Sequence, residues 1–142
     1  MKPHTPDFTL LDHTADMGMC VRAPDLRTLF EDAARAMMMV MVETGDDAGP
    51  NTRGVSLEGA DLPDLMVRWL GELLYLFEGQ GELVTETRLE TISPTRLDAA
   101  VKTVAFDPER HDVVCDIKAV TYHQIQVAQR GPRWECRVIF DV

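Results

Sequence analysis

The sequence predicts an α+β fold, a single domain over residues 1–142 in which two amphipathic helices pack on mostly antiparallel β-sheet. Three observations predict it. Two segments carry apolar side chains at the 3,4 spacing of one helix face. Everything from Glu82 onward falls into runs rich in Val, Thr, Ile and aromatics, divided by turn-forming Ser93-Pro94, Asp107-Pro108 and Gly131-Pro132. A chain of 142 residues, 45% hydrophobic and 27% charged with a mean hydropathy of -0.13, suits one core and a solvated surface.

Phe8–Leu11 and Met17–Ala23 read as short strands around a polar turn, Asp12-His13-Thr14-Ala15-Asp16. Pro24-Asp25 then signals a helix start with Asp25 as N-cap. Leu26, Leu29, Phe30, Ala33, Ala34, Met37, Val40 and Met41 form its apolar face, and Arg27, Glu31, Asp32 and Arg35 its polar one. The methionine run Met37-Met38-Met39 with Met41 fits core filling better than a soft-metal stripe. Thr44–Arg53, with two Gly, a Pro, an Asn and two Asp, is a solvated loop. A short strand follows at Arg53–Glu58. Asp61-Leu62-Pro63-Asp64 opens the second helix, with a cap, an early proline and an acid at the positive dipole end. Leu62, Leu65, Met66, Trp69, Leu70, Leu73, Leu76 and Phe77 make its stripe, and Gly79 and Gly81 stop it. Strands are then expected at Leu83–Thr87, Arg88–Ile92, Arg96–Phe106, Val113–Tyr122, Gln124–Gln129 and Trp134–Phe140.

Charge narrows the function classes. Asp and Glu outnumber Lys and Arg by 24 to 14, and a net charge of -10 repels a phosphate backbone, so direct nucleic-acid binding is not expected. A cation, or a basic surface on another protein, is the natural electrostatic partner. Cys20, Cys115 and Cys136 are odd in number and lack Cys-x-x-Cys spacing, which argues against a disulfide framework or zinc knuckle. Lying in apolar runs, they read as buried hydrophobes in a reducing compartment, with a reactive thiol as the alternative. No apolar leader occurs at Met1–Asp7 and no window approaches the ~20 apolar residues of a membrane span, so a cytoplasmic protein with no membrane partner is expected.

The motifs for nucleotide cradling, acyl transfer and zinc hydrolysis are missing. What remains is a set of polar residues at unusual places. Asp12, His13 and Asp16 offer two carboxylates and an imidazole within five residues, either as turn formers or as groups converging on a cation. Asp141 is followed directly by the carboxylate of Val142, either a solvated end or part of an anionic cluster. If Asp16 lies across from them, the mutual repulsion calls for a cation or a proton. Oxygen donors select Ca²⁺, Mg²⁺ or Mn²⁺ over zinc. On a regular strand through Lys118-Ala119-Val120-Thr121-Tyr122-His123, Lys118 and His123 point to opposite faces. Lys118 then reads as an edge-blocking lysine and His123 as a surface histidine, unless either serves a site.

Leu11-Asp12-His13-Thr14-Ala15-Asp16-Met17-Gly18, the run Leu65-Met66-Val67-Arg68-Trp69-Leu70-Gly71-Glu72-Leu73-Leu74-Tyr75, then Lys118–His123 and the terminal Phe140-Asp141-Val142, in this order and across nearly the whole chain, resemble the archease family. The resemblance implies a cytoplasmic accessory protein, not itself an enzyme, that promotes guanylylation and multiple turnover of an RtcB-type RNA ligase in tRNA splicing or RNA repair. It also implies a divalent-metal site at Asp16, Asp141 and Val142; given such a site, Lys118 and His13 are candidate contacts to the ligase or its nucleotide. Two departures stand out: Val142, where isoleucine is more usual, and the Met-rich end of the first helix. The rival readings are a metal-dependent hydrolase using the same carboxylates with His13 or His123 as base, and a general chaperone-like binding module.

Overall fold

The computed structural model describes residues 4–12, 16–43 and 49–142. The chain runs β1 (Asp7–Asp12), β2 (Asp16–Ala23), α1 (Leu26–Met41), β3 (Val42–Glu43), β4 (Asn51–Glu58), α2 (Leu62–Gln80), β5 (Glu82–Ser93), β6 (Arg96–Ala105), β7 (Asp112–Val113), β8 (Ala119–Val120), β9 (Gln126–Arg130) and β10 (Arg133–Asp141). One sheet is ordered β1-β2-β10, with β9 and β8 pairing successive parts of β10 on its other edge. A second is ordered β4-β6-β5, and β3 and β7 form a small ladder. All pairings among them are antiparallel.

Both helices start as their sequences dictate. The Asp25 carboxylate accepts from the Thr28 N–H at 2.7 Å and that of Asp61 from the Asp64 N–H at 2.9 Å, each satisfying an otherwise orphaned donor of a first turn. Gly81 ends α2 at φ 66°, a left-handed cap that favours glycine. Gly79, expected to help stop this helix, lies inside it. The Tyr75 ring rests over it so closely that an added Cβ would meet Cε1 at 2.6 Å.

One core joins the layers. Met19, Val21, Val138 and Phe140 from the first sheet meet Leu29, Phe30, Met37, Leu65, Trp69 and Leu73 from the helices, with Leu89, Leu97 and Val101 from the second sheet. Trp69 is fully buried and its indole N–H donates to the Phe30 carbonyl at 2.9 Å, tying α2 to α1. Met37, Met38 and Met41 fill the core, but Met39 is 42% exposed, because in a run of three one residue must leave the apolar face of a 3.6-residue turn. Asp32, expected on the polar face, is buried. Its carboxylate oxygens lie 2.8 and 2.9 Å from Nε2 of His4, so the segment before β1 crosses α1 at that point.

Beyond shifts of one or two residues at strand ends, such as β9 starting at Gln126 and not Gln124, the later strands differ from expectation in two places. Leu83–Thr87 and Arg88–Ile92 form one strand, β5, because no turn residue separates them. Its two register shifts, at Val84/Glu86 and Leu89/Thr91, absorb the irregularity, and Glu31 of α1 accepts from the Leu89 N–H at 2.9 Å. The strand expected at Val113–Tyr122 is instead two short bridges joined by irregular chain. Here the backbone changes partner: the N–H groups of Val114 and Cys115 donate to the Met41 carbonyl, whereas those of Lys118 and Thr121 donate to Asp141 and Ile139 of β10. A segment that leaves one ladder for another cannot remain one strand, and Ile117 plugs the core at the crossing. The loop expected at Thr44–Arg53 lies partly outside the described residues, and its last three residues belong to β4. Among the described residues no helix is long and apolar enough to cross a membrane.

Candidate functional site

The register of β2 and β10 decides where the acidic residues stand. Core side chains fix it: Phe140 lies opposite Met17, Val138 opposite Met19 and Cys136 opposite Val21. On the other face Ile139 lies opposite Gly18, so close that an added Cβ there would stand 2.7 Å from Ile139 Cδ1 and 3.2 Å from Leu11 Cβ. Glycine is what lets Leu11 and Ile139 approach each other over β2. A slip by one residue would exchange the two faces, so this register is strongly specified.

Its last pair is Asp16 opposite Asp141. Directly opposed residues carry Cβ atoms about 4.5–5.5 Å apart, and like charges in such a pair repel. Asp16 is half-buried and Asp141 exposed. Among the described residues neither side chain has a hydrogen-bond or ion-pair partner. On its far side Asp141 pairs with Ala119, and the Lys118 N–H donates to the Asp141 carbonyl at 2.7 Å. Lys118 is therefore held beside the same strand end by its backbone while its side chain is exposed. It is not the edge-blocking residue of a regular strand. Val142, the next residue after Asp141, is 39% exposed. His13 lies outside the described residues. His123, in the turn after β8, is exposed, with its N–H donating to Thr121 Oγ1 at 3.3 Å.

Adjacent carboxylates suit a hard divalent cation by donor chemistry. Among the described residues there is no group of three or more His, Cys, Asp or Glu side chains that could hold a metal ion. The pair therefore stands, among the described residues, as two carboxylate donors.

In a neighbouring network the central bond has no local sequence signal, because Tyr122 and Asp64 lie 58 residues apart in the chain. The Tyr122 hydroxyl donates to Asp64 Oδ1 at 2.6 Å, while Arg68 Nε donates to Asp64 Oδ2 at 3.0 Å and the Ala60 N–H to the same oxygen at 2.8 Å. It pins Tyr122, in the segment just after β8, to the start of α2. These donors, Tyr122 foremost, hold the Asp64 carboxyl down to about 2. A carboxyl lowered in the folded state stabilises it above its unfolded value of 3.8, and that contribution is lost as pH falls towards 2. Asp64→Asn is therefore expected to melt below wild type at neutral pH, with the gap closing between pH 4 and pH 2 in thermal scans by circular dichroism. A gap that stays constant down to pH 2 would show that the network contributes nothing through its charge.

Cys20 and Cys136 are not poised as nucleophiles. Burial pushes Cys136 up to about 12. Cys20 rises to about 11, mainly through burial and then through the hydrogen bond from its thiol to Glu135 Oε1 at 2.8 Å, so both stay protonated at neutral pH.

Two helices packed against antiparallel sheets around one core define a small α+β protein. The sequence profile described as the Archease protein family (MTH1598/TM1083) matches residues 8–142. The protein archease of Methanosarcina acetivorans is 37% identical over 139 residues, spanning 95% of each chain, and that of Sulfurisphaera tokodaii is 28% identical over 95% of this chain and 98% of its own. The solution structure of protein 1598 of Methanobacterium thermoautotrophicum superimposes with a TM-score of 0.75 at 28% identity, covering 95% of this chain and 98% of that one. A crystal structure from Thermotoga maritima, described as an archease and possible chaperone, shares the fold with a TM-score of 0.67 at 16% identity, over 93% and 94% of the two chains. The chain belongs to the archease family.

Proposed function

We propose that this protein is a cytoplasmic accessory factor that activates an RtcB-type RNA ligase, promoting its guanylylation and multiple turnover in tRNA splicing or RNA repair, and that it does not itself catalyse ligation. The observation that carries the proposal is the cross-strand pairing of Asp16 with Asp141, which brings the two ends of the chain's motif set to one point. In this reading Asp16, Asp141 and an oxygen of Val142 hold a Ca²⁺, Mg²⁺ or Mn²⁺ ion, the kind of charge their mutual repulsion calls for. Lys118, whose backbone is bonded to Asp141, supplies a cation at the same strand end for carboxylates of the ligase or a phosphate of GTP, and His13 is a second contact. The net charge of -10 favours a protein surface and a metal over RNA as direct partners.

The test mixes the protein with the ligase, GTP and Mn²⁺ or Mg²⁺. Guanylylated ligase and product per ligase are expected to rise with added protein, and Asp141→Asn to lose the stimulation. Guanylylation and turnover that do not change across protein concentrations would overturn the proposal.

A further inference from the structure

The face of the first sheet turned away from the helices carries a second arrangement, unrelated to the paired aspartates. Alternation along β2, β9 and β10 puts Met19, Val21, Cys136 and Val138 into the core, and Cys20, Arg22, Glu135, Arg137, Gln126 and Arg130 on the outer face. These outward residues line a cavity of about 220 Å³. Its charges are three guanidiniums against one carboxylate. In a chain of net charge -10, such a concentration of arginine on one concave surface runs against the overall balance.

The arginines are not all engaged. Glu135 pairs with Arg22 at 3.5 Å and with Arg130 at 3.6 Å, and it accepts from the Cys20 thiol. Those ion pairs are long and partly exposed, so they hold the two side chains weakly. Arg137 is half-buried and has no hydrogen-bond or ion-pair partner among the described residues. A half-buried guanidinium has given up part of its hydration, and its five donors call for acceptors. One carboxylate is satisfied by a single arginine fork. Three forks around one concavity instead match a group with three non-bridging oxygens and up to two negative charges.

We propose that this cavity is a phosphate-binding site, with Arg137 as the principal contact, Arg22 and Arg130 closing on the anion from their weak pairs, and Glu135 limiting its affinity. The chemistry is that of a phosphoryl group, free or carried as a monoester. The site is separate from the aspartate pair: Arg137 and Asp141 lie four residues apart on β10, about 13 Å at the rise of a strand.

The test is a titration of the isotope-labelled protein, free of divalent cations, with inorganic phosphate, adenosine monophosphate and acetate at matched ionic strength, followed by the arginine Nε–H and backbone resonances. Saturable shifts at Arg137 with phosphate or the monoester, and not with acetate, are expected, and the tighter of the two identifies which form the site takes. Arg137→Gln is expected to weaken binding about tenfold. Glu135→Gln, which removes the one negative charge, is expected to tighten it severalfold. Arg96→Gln, an equal charge change on the other sheet, is expected to leave it within about twofold. Opposite effects at 135 and 137 cannot arise from simple unfolding. Equal shifts with acetate, or unaltered binding in Arg137→Gln, would overturn the proposal.

Discussion

Trp69→Ala is expected to lower the stability of the protein by about 3–5 kcal/mol, well beyond the effect of a surface substitution. Trp69 is fully buried where α2 crosses α1, packed among residues of both helices and both sheets. Removing the indole takes away its transfer free energy and leaves a cavity that two helices and two sheets cannot all close upon. The Phe30 carbonyl also loses the indole N–H. Trp69→Phe keeps most of the volume and loses that hydrogen bond, so a smaller cost of about 1–2 kcal/mol is expected. Urea denaturation followed by far-ultraviolet circular dichroism measures both, with Trp134 left as a fluorescent reporter. A loss below about 1 kcal/mol for Trp69→Ala would mean that the helices are not packed through this residue.

Why Trp69 could be placed in the core from sequence, while other residues could not, follows from how local each signal is. The helices were legible because their information lies within a turn or two: Asp25 and Asp61 as caps, Pro63 in the first turn, and stripes whose members lie three and four apart. Strands β2, β6 and β10 were legible for the same reason. Asp32 and Met39 show where the periodic reading stops. Each is placed by a remote partner or by the exact angle of the apolar face, as His4 over Asp32 illustrates. The strand expected at Val113–Tyr122 shows a stronger limit, since its alternation is real but its backbone is claimed first by Met41 and then by β10.

The candidate site divides in the same way. Asp16 and Asp141 were singled out as unusual carboxylates and joined by resemblance to a family, but only the β2–β10 register puts them opposite one another. Asp16 also proves to be the first residue of β2 and not part of a turn. The bond from Tyr122 to Asp64 and the meeting of Arg22 with Glu135 had no signal in the sequence, because each joins elements distant in the chain.

The second large effect concerns the aspartate pair, and its sign depends on the solution. In buffer stripped of divalent cations, Asp141→Asn removes a like-charge pair, so the variant is expected to be more stable than wild type by roughly 0.2–1 kcal/mol. A cation that binds the folded state alone stabilises wild type by about 2.7 kcal/mol at a hundred times its dissociation constant. Adding Ca²⁺, Mg²⁺ or Mn²⁺ is therefore expected to reverse the order, raising the melting temperature of wild type past that of a variant that no longer responds. Thermal scans of both proteins with and without cation check this. Wild type and Asp141→Asn moving together would remove the pair as the site of any cation effect.

The reversal is indirect, because a melting temperature sums every site that a cation reaches. Calorimetric titration of Mn²⁺, Mg²⁺ and Ca²⁺ into wild type, Asp16→Ala and Asp141→Asn reads the pair itself. One ion per chain is expected to bind wild type, with affinity lowered at least about tenfold in each variant, since each loses one charged oxygen ligand. The same affinity in all three proteins would contradict a cation site at the end of β10.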